Sequence, residues 1–260
     1  MSNSDLAQMG SSTVKLIEFG GQRCIQKSDV SSVERAFYET VAPQIIQSGV
    51  QCPKVLNLSG STLVIEYIPQ TVSISELFES LETYKQLANL HSSVIEQPFQ
   101  ICQHQWSKEA TSQALTHLKL PDVSIDALNH IQNSEHSIFN MQSYLSGDTN
   151  NGNWGRRLSG DLVLFDWERF GVGCPTIDLA PLVIGMGSID AFESIIEKYG
   201  KVGSSNLPST PLTNLIVAKT WIAIEVINIL VVRDKHQKSR YLEWFNNTLP
   251  DWLYEMGNAL

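Results

Sequence analysis

The chain has 260 residues, 42% of them hydrophobic and 17% charged, which is enough apolar material for a buried core and excludes whole-chain disorder. That length fits one large domain or two smaller lobes. Eighteen Lys and Arg against 27 Asp and Glu give a formal charge of −9, and so acidic a surface repels phosphate backbones and anionic lipid, which argues against a nucleic-acid binder or a polybasic membrane protein. A nucleotide-sized anion stays compatible, because its site needs only a few local cations.

No basic segment followed by an apolar one opens the chain, so no signal peptide is expected. Val14–Glu18 reads as a strand, residues 19–22 as a turn, and Arg23–Lys27 as a second strand. Ser31 and Ser32 then offer N-caps, with Val33, Phe37, Val41 and Ile45 at helical spacing. Lys54–Leu58 and Thr62–Ile68 are strand-like, and Pro69 ends the run. Ile74–Leu90 predicts one helix with Leu77, Leu81, Tyr84 and Leu87 on its apolar face. Helices are expected at Lys108–Leu118 and Ser124–His136. Two short strand-like runs, Gln142–Leu145 and Leu162–Phe165, surround a polar Gly- and Asn-rich loop. Four helices complete the chain: Asp178–Ile184, Ala191–Tyr199, Leu212–Val232 and Asp234–Met256. Trp221, Trp244 and Trp252 fall in amphipathic positions and predict core packing.

The longest apolar stretch, Trp221–Val232, is interrupted by Glu225 and Asn228 and is too short to span a bilayer. Cys24, Cys52, Cys102 and Cys174 lie far apart with no metal spacing, so free thiols in a reducing cytoplasm are expected. Up to Gln70 there are five basic and six acidic side chains, a net charge of −1, which leaves −8 for the remainder. The simplest division is a small strand-rich lobe and an acidic helical lobe, meeting near Pro69.

Chemistry concentrates in LSGDTNNGNW (145–154), LVLFDWE (162–168) and GCPTIDLA (173–180). A carboxylate on a rigid loop accepts the proton of a hydroxyl that is becoming a nucleophile. An amide oxygen five residues later and a second carboxylate at a strand end suit a hard cation. Mg²⁺ takes one or two such oxygens from protein and the rest from water and phosphate.

This order of motifs resembles the protein-kinase-like fold, in its aminoglycoside phosphotransferase and choline kinase branch. That branch writes H-G-D-x-x-x-x-N, then I-D-W-E, then G-x-P-x-x-D-L-A; here the text is S-G-D-T-N-N-G-N, F-D-W-E and G-C-P-T-I-D-L-A. The separation of Asp148 from Asp166, with a hairpin between, also fits. Upstream, TLVIEYI (62–68) is similar to the strand leading between the lobes, and LANLH (87–91) to the helix ending L-A-x-L-H. The resemblance covers roughly residues 9 to 185.

It implies an α+β, two-lobed protein-kinase-like fold, with a small antiparallel-sheet lobe over 1–69 and a larger, mainly helical lobe over 70–260 carrying catalytic loop and acceptor site. By the resemblance, Asp148 is the catalytic base, and Asn153 and Asp166 hold Mg²⁺. Lys27 contacts the α- and β-phosphates of ATP and Glu34 pairs with it. The Glu66 carbonyl and Ile68 amide meet adenine, and Ser11 and Ser12 contact phosphates. Three departures stand out: Ser146 replaces the His that buttresses the loop, MGSST (9–13) holds one glycine, and the short spacing from Lys27 to Glu34 leaves Glu39 as an alternative partner. Asp178 is expected to anchor its loop, Glu168 to be structural or substrate-facing, and His91 to be packed.

The implied activity is ATP- and magnesium-dependent phosphoryl transfer to a hydroxyl of a small molecule, with lobes closing near Pro69. The acceptor is expected between Asp148 and the helices after Pro175, and the −8 there suggests a cationic one, such as an amine or aminoglycoside. The rival readings are a non-catalytic, kinase-like nucleotide-binding regulatory protein and a metal-dependent phosphoesterase using Asp148 and Asp166.

Overall fold

The structure, a computed structural model, describes residues 13–96, 99–203, 206–232 and 238–260. The chain forms two compact units, the first made of Met1–Gln103 with Tyr144–Val172 and the second of His104–Ser143 with Gly173–Leu260. Pro69 lies inside the first unit. The architecture is mixed α+β, with a small antiparallel sheet at the amino-terminal end and helices dominating the carboxy-terminal part.

In the first unit, β1 (Thr13–Phe19) and β2 (Gln22–Ser28) form a hairpin across Gly20 and Gly21. Both glycines take positive φ, 60° and 77°, as a two-residue turn matching strand twist requires. Next come α1 (Ser32–Ala36) and α2 (Ala42–Ile45), joined by a π-helical turn over Phe37–Val41. One uninterrupted helix was the expectation from spacing. Pro43 lacks the N–H that would bond back to Glu39, and its ring crowds that carbonyl, which accounts for the widened turn. Strands β3 (Val55–Ser59) and β4 (Thr62–Glu66) complete a four-stranded antiparallel sheet of order β1-β2-β4-β3. β4 lies between two neighbours, and its Leu63, Val64 and Ile65 are all buried.

Beyond Pro69 the two-residue strand β5 (Gln70–Thr71) leads into α3 (Ile74–Glu79) and α4 (Leu81–His91). The single helix expected over Ile74–Leu90 is broken at Ser80, whose backbone is extended (φ −80°, ψ 118°). The chain re-enters this unit along β6 (Ser143–Leu145) and forms the hairpin β7 (Trp154–Arg156) and β8 (Leu162–Leu164) before β9 (Gly171–Gly173). β5, β7 and β8 make a three-stranded sheet, and β6 pairs with β9.

The second unit holds α5 (Lys108–Leu115), α6 (Asp122–Gln132), α7 (His136–Phe139), α8 (Thr176–Leu179), α9 (Ile189–Lys201), α10 (Pro211–Val232) and α11 (Lys238–Asn258). Here α10 is central and packs against α5, α6, α7, α8, α9 and α11. It begins earlier than the apolar stretch read from sequence, and at 22 residues it is long and apolar enough to cross a membrane by length and composition. More than half of its most apolar window, 56%, is buried, as an all-round apolar helix in the centre of a bundle requires. Trp221 and Trp252 are core residues, but Trp244 is 39% exposed, contrary to expectation. All four cysteines are free thiols.

Candidate functional site

Every predicted site residue that falls among the described residues belongs to the first unit. β2 delivers Lys27, which lies opposite Leu63 of β4, while Cys24 lies opposite Glu66. Lys27 and Glu66 are therefore offset by three residues along one sheet, on the order of 10 Å. After β2 the chain turns through Asp29, whose φ is 59°, and enters α1 at the N-cap Ser31. Ser31 Oγ accepts the Glu34 backbone N–H at 3.1 Å, which satisfies an orphan donor of the helix start.

That cap fixes the turn bearing Glu34. Lys27 Nζ donates to Glu34 Oε1 at 2.7 Å and to Asp166 Oδ1 at 2.9 Å. The lysine is 6% exposed and Glu34 fully buried. Glu39, the alternative partner, instead pairs with Arg35 on the surface at 2.9 Å. An aromatic stack reinforces the arrangement. Phe37, three residues after Glu34, lies on Trp167, the residue after Asp166, with centroids 4.0 Å apart and planes 10° from parallel. Both rings are fully buried, so apolar burial on the order of 2 kcal/mol per side chain clips the Glu34 segment to the Asp166 strand end.

The loop 146–153 is tied down from within. Trp154, buried at the start of β7, donates its indole N–H to the Thr149 carbonyl at 3.0 Å. Asn150 caps the 3₁₀ turn over Asn151–Asn153 by accepting the Gly152 N–H at 2.8 Å, and its amide also donates to Asp148 Oδ1. Asn153 Nδ2 donates to the Asp148 carbonyl at 2.9 Å. That bond uses the nitrogen end of the amide and turns Oδ1 to the other side.

Asn153 and Asp166 are distant in sequence but neighbours across the β7–β8 hairpin. Trp154 lies opposite Leu164, and the Phe165 N–H donates to the Asn153 carbonyl at 2.9 Å. Asp166 itself has φ 66°. A non-glycine in the left-handed region costs on the order of 1–3 kcal/mol unless its surroundings hold it there, and here the Lys27 ion pair and the Phe37–Trp167 stack do so.

The electrostatics follow from this crowding. Burial pulls the Lys27 pKa down, but the charges of Glu34 and Asp166 outweigh it and push it up to about 12. Burial raises the Glu34 carboxyl, against the pull of Lys27, and its Oε2 is buried with no hydrogen-bond partner among the described residues. Burial also raises the Asp148 carboxyl; the Asn150 amide and Arg169 oppose this, and the Asp166 charge adds to it.

For a divalent cation, the relevant donors are the Asn153 amide oxygen and the Asp166 carboxylate, whose side chain is 28% exposed. Among the described residues no group of three or more His, Cys, Asp or Glu gathers for a metal. That donor set fits Mg²⁺, which needs few protein oxygens and dehydrates reluctantly; it does not suit a zinc-type site.

Ser11 and Ser12 lie outside the described residues. Glu66 closes β4 and Ile68 follows it, and the Glu66 side chain is engaged by Arg157 with contacts of 2.8 and 2.9 Å. Ser146 and Asp178 are fully buried, and His91 is buried with 3% exposure. Sequence reasoning missed Arg157, and it also missed Arg169, whose Nε donates to the Gly147 carbonyl at 3.1 Å. Gly147 holds φ 76° directly before Asp148. The only sequence signal for either arginine was the scarcity of cations in an acidic chain.

No protein-family model and no curated protein matches the chain. Among solved structures it is similar to choline kinase LicA from Streptococcus pneumoniae, at 13% identity and a TM-score of 0.62 over 96% of this chain and 92% of that one. It is also similar to macrolide 2'-phosphotransferase MphH from Brachybacterium faecium, at 12% identity and a TM-score of 0.63 over 93% and 91% of the two chains. A third is spectinomycin phosphotransferase APH(9)-Ia in complex with ADP and spectinomycin, at 13% identity and a TM-score of 0.61 over 96% and 89%. The fold is the kinase-like one. At these identities the likeness concerns the fold of the whole chain, and the chemistry rests on the residues described above.

Proposed function

We propose that the chain is an ATP- and magnesium-dependent phosphotransferase that moves a γ-phosphate to a hydroxyl of a small molecule. The observation that carries this reading is the convergence of Lys27, Glu34 and Asp166 in one ion-paired cluster, with Asp148 and Asn153 joined by a hydrogen bond on the adjoining loop. Support also comes from the chain's structural neighbours, which are a choline kinase and antibiotic phosphotransferases, one of them crystallised with AMP and another with ADP.

Phosphoryl transfer passes through a loose transition state, so the protein mainly positions groups and neutralises charge. Lys27, oriented by the buried Glu34, holds the α- and β-phosphates. Asn153 and Asp166 hold Mg²⁺, which when bound neutralises charge on the phosphate oxygens. Asp148 accepts a hydrogen bond from the acceptor hydroxyl and takes its proton as the new O–P bond forms and the bond from the γ-phosphorus to the bridging oxygen breaks, releasing ADP. The backbone at Glu66 and Ile68 meets the base. The acceptor is a hydroxylated small molecule, and the acidity of residues 71–260 favours a cationic one. Free thiols throughout suit a cytoplasmic location.

The decisive experiment is a panel of hydroxylated amines, sugars, macrolides and aminoglycosides assayed for magnesium-dependent ADP release. Release with at least one acceptor, abolished in Asp148→Asn, is the expected result. Tight Mg·ATP binding with no transfer to any acceptor would instead support a regulatory, nucleotide-binding role.

A further inference from the structure

The β7–β8 hairpin bears Asn153 immediately before its first strand and Asp166 just beyond its second. It also grips the segment Glu66–Thr71 at both ends. At the far end, Gln70 and Thr71 pair with Arg156 and Gly155. Gly155 permits that approach, since a Cβ there would lie 2.7 Å from Ile68 Cγ2 and 2.9 Å from the Gln70 carbonyl.

At the near end stands Arg157. Its Nε donates to Glu66 Oε1 at 2.8 Å and its Nη2 to Oε2 at 2.9 Å, the two-pronged geometry in which guanidinium and carboxylate bind most strongly. The same guanidinium donates to Gln51 Oε1 at 2.9 Å and to the Cys52 carbonyl at 3.0 Å. Gln86 braces the assembly from α4, donating to the Leu162 carbonyl at 2.7 Å and accepting the Gln51 N–H at 3.0 Å. Isolated surface ion pairs contribute little. This one is different: the two side chains are only 14% and 24% exposed, and the guanidinium ties Glu66 to a second segment at Gln51 and Cys52.

We propose that Arg157 is a positioning residue for the nucleotide: through Glu66 it sets the Glu66–Ile68 backbone at a fixed distance from Asn153 and Asp166. It acts through Glu66 and not by touching the ligand. One hairpin then serves as the common reference for the base-binding backbone and the metal-binding side chains. Arg156, whose partners Glu76 and Glu82 lie on α3 and α4, secures the hairpin but not the Glu66–Ile68 segment, and serves as the control.

This inference rests on the nucleotide-binding reading above, and calorimetry with a non-hydrolysable ATP analogue and magnesium tests the two separately. Arg157→Lys keeps the charge but loses the fork, and Glu66→Gln keeps the shape but loses the charge. Each is expected to weaken analogue binding about 10-fold, as the loss of one charge-assisted pair implies, and to raise the nucleotide KM with kcat and acceptor KM little changed. Arg156→Lys should leave analogue binding at the wild-type value. Wild-type binding with Arg157→Lys and Glu66→Gln unchanged, even where their melting temperatures fall, would overturn the inference alone. No analogue binding by the wild-type chain would overturn the functional reading and the inference with it. Should Glu66→Gln fail to fold, Arg157→Lys decides.

Discussion

Asp148 sits among groups that pull its carboxyl in opposite directions, and burial leaves it above the ordinary value of 3.8. A base with a raised pKa accepts a proton more readily, but it is also silenced sooner by acid. The kcat of the wild-type chain should therefore fall as pH drops through that raised value, since only the carboxylate accepts the hydroxyl proton. Asp148→Asn should lower kcat by about 10²–10⁴-fold and remove that acid limb, while Mg·nucleotide binding measured by calorimetry persists. Equal loss of binding and turnover would count against the base assignment. Lys27 answers to a different measurement. Lys27→Met leaves the fully buried Glu34 without its cation, and breaking such a pair costs about 3–5 kcal/mol. Denaturant melts should show that loss, and adding Glu34→Gln should recover much of it.

Among the elements, α1 depends on its cap more than most, because it has only five residues before the π turn. Ser31→Ala removes the acceptor of the Glu34 N–H and should cost about 1 kcal/mol in urea melts, with nucleotide affinity falling as Glu34 loses its register. The longer strands β1, β2 and β4 were legible because alternation and β-branched runs extend over five to seven residues. β5, β7 and β9 were not, since two or three residues carry no periodicity and their pairing is decided by distant partners. The break at Ser80 leaves no mark in the sequence for a related reason: the apolar spacing of Leu77, Leu81, Tyr84 and Leu87 continues across it. For the site, Asp148, Asn153 and Asp166 were legible as a group because two motifs, each several residues long, carry them in order. The resemblance named Glu34 as the partner of Lys27 and left Glu39 as the alternative; the 2.7 Å contact to Glu34 and the surface pairing of Glu39 with Arg35 decide between them. Arg157 belongs to no motif, and its partners Gln51, Cys52 and Glu66 are a hundred or so residues away.

At the scale of the whole molecule, the helical unit holds a titratable group that chemistry does not require. Lys219 of α10 is 8% exposed, and its ammonium donates to the Ala180 carbonyl at 3.1 Å. Burial drives its pKa from 10.5 down to about 8. Between those values the unfolded chain holds the proton that the folded chain has released, so Lys219 adds stability as pH climbs through that window and withholds it below. Cys52 works with the opposite sign, because burial raises its thiol from 9.0 to about 12 and stability is lost as pH rises between them. The difference between wild-type and Lys219→Met melting curves isolates the lysine: Lys219→Met should be the more stable protein at pH 7, and the gap should narrow toward pH 10. A constant gap would show that the buried ammonium is not what separates them.

The interleaving of the two units bears on how the protein is made. The first unit is interrupted after Gln103 and resumes only at Tyr144, so a ribosome has released Lys27, Glu34 and the four-stranded sheet long before it supplies Asp166. At ~5–20 residues per second, the hairpin is complete roughly 3–12 s after Gln103. Throughout that interval Lys27 and Glu34 lack Asp166 beside them, and Phe37 lacks the indole it stacks on. Nascent chains arrested after Gln103 should therefore be readily cleaved by protease around α1, and chains arrested beyond Val172 should resist.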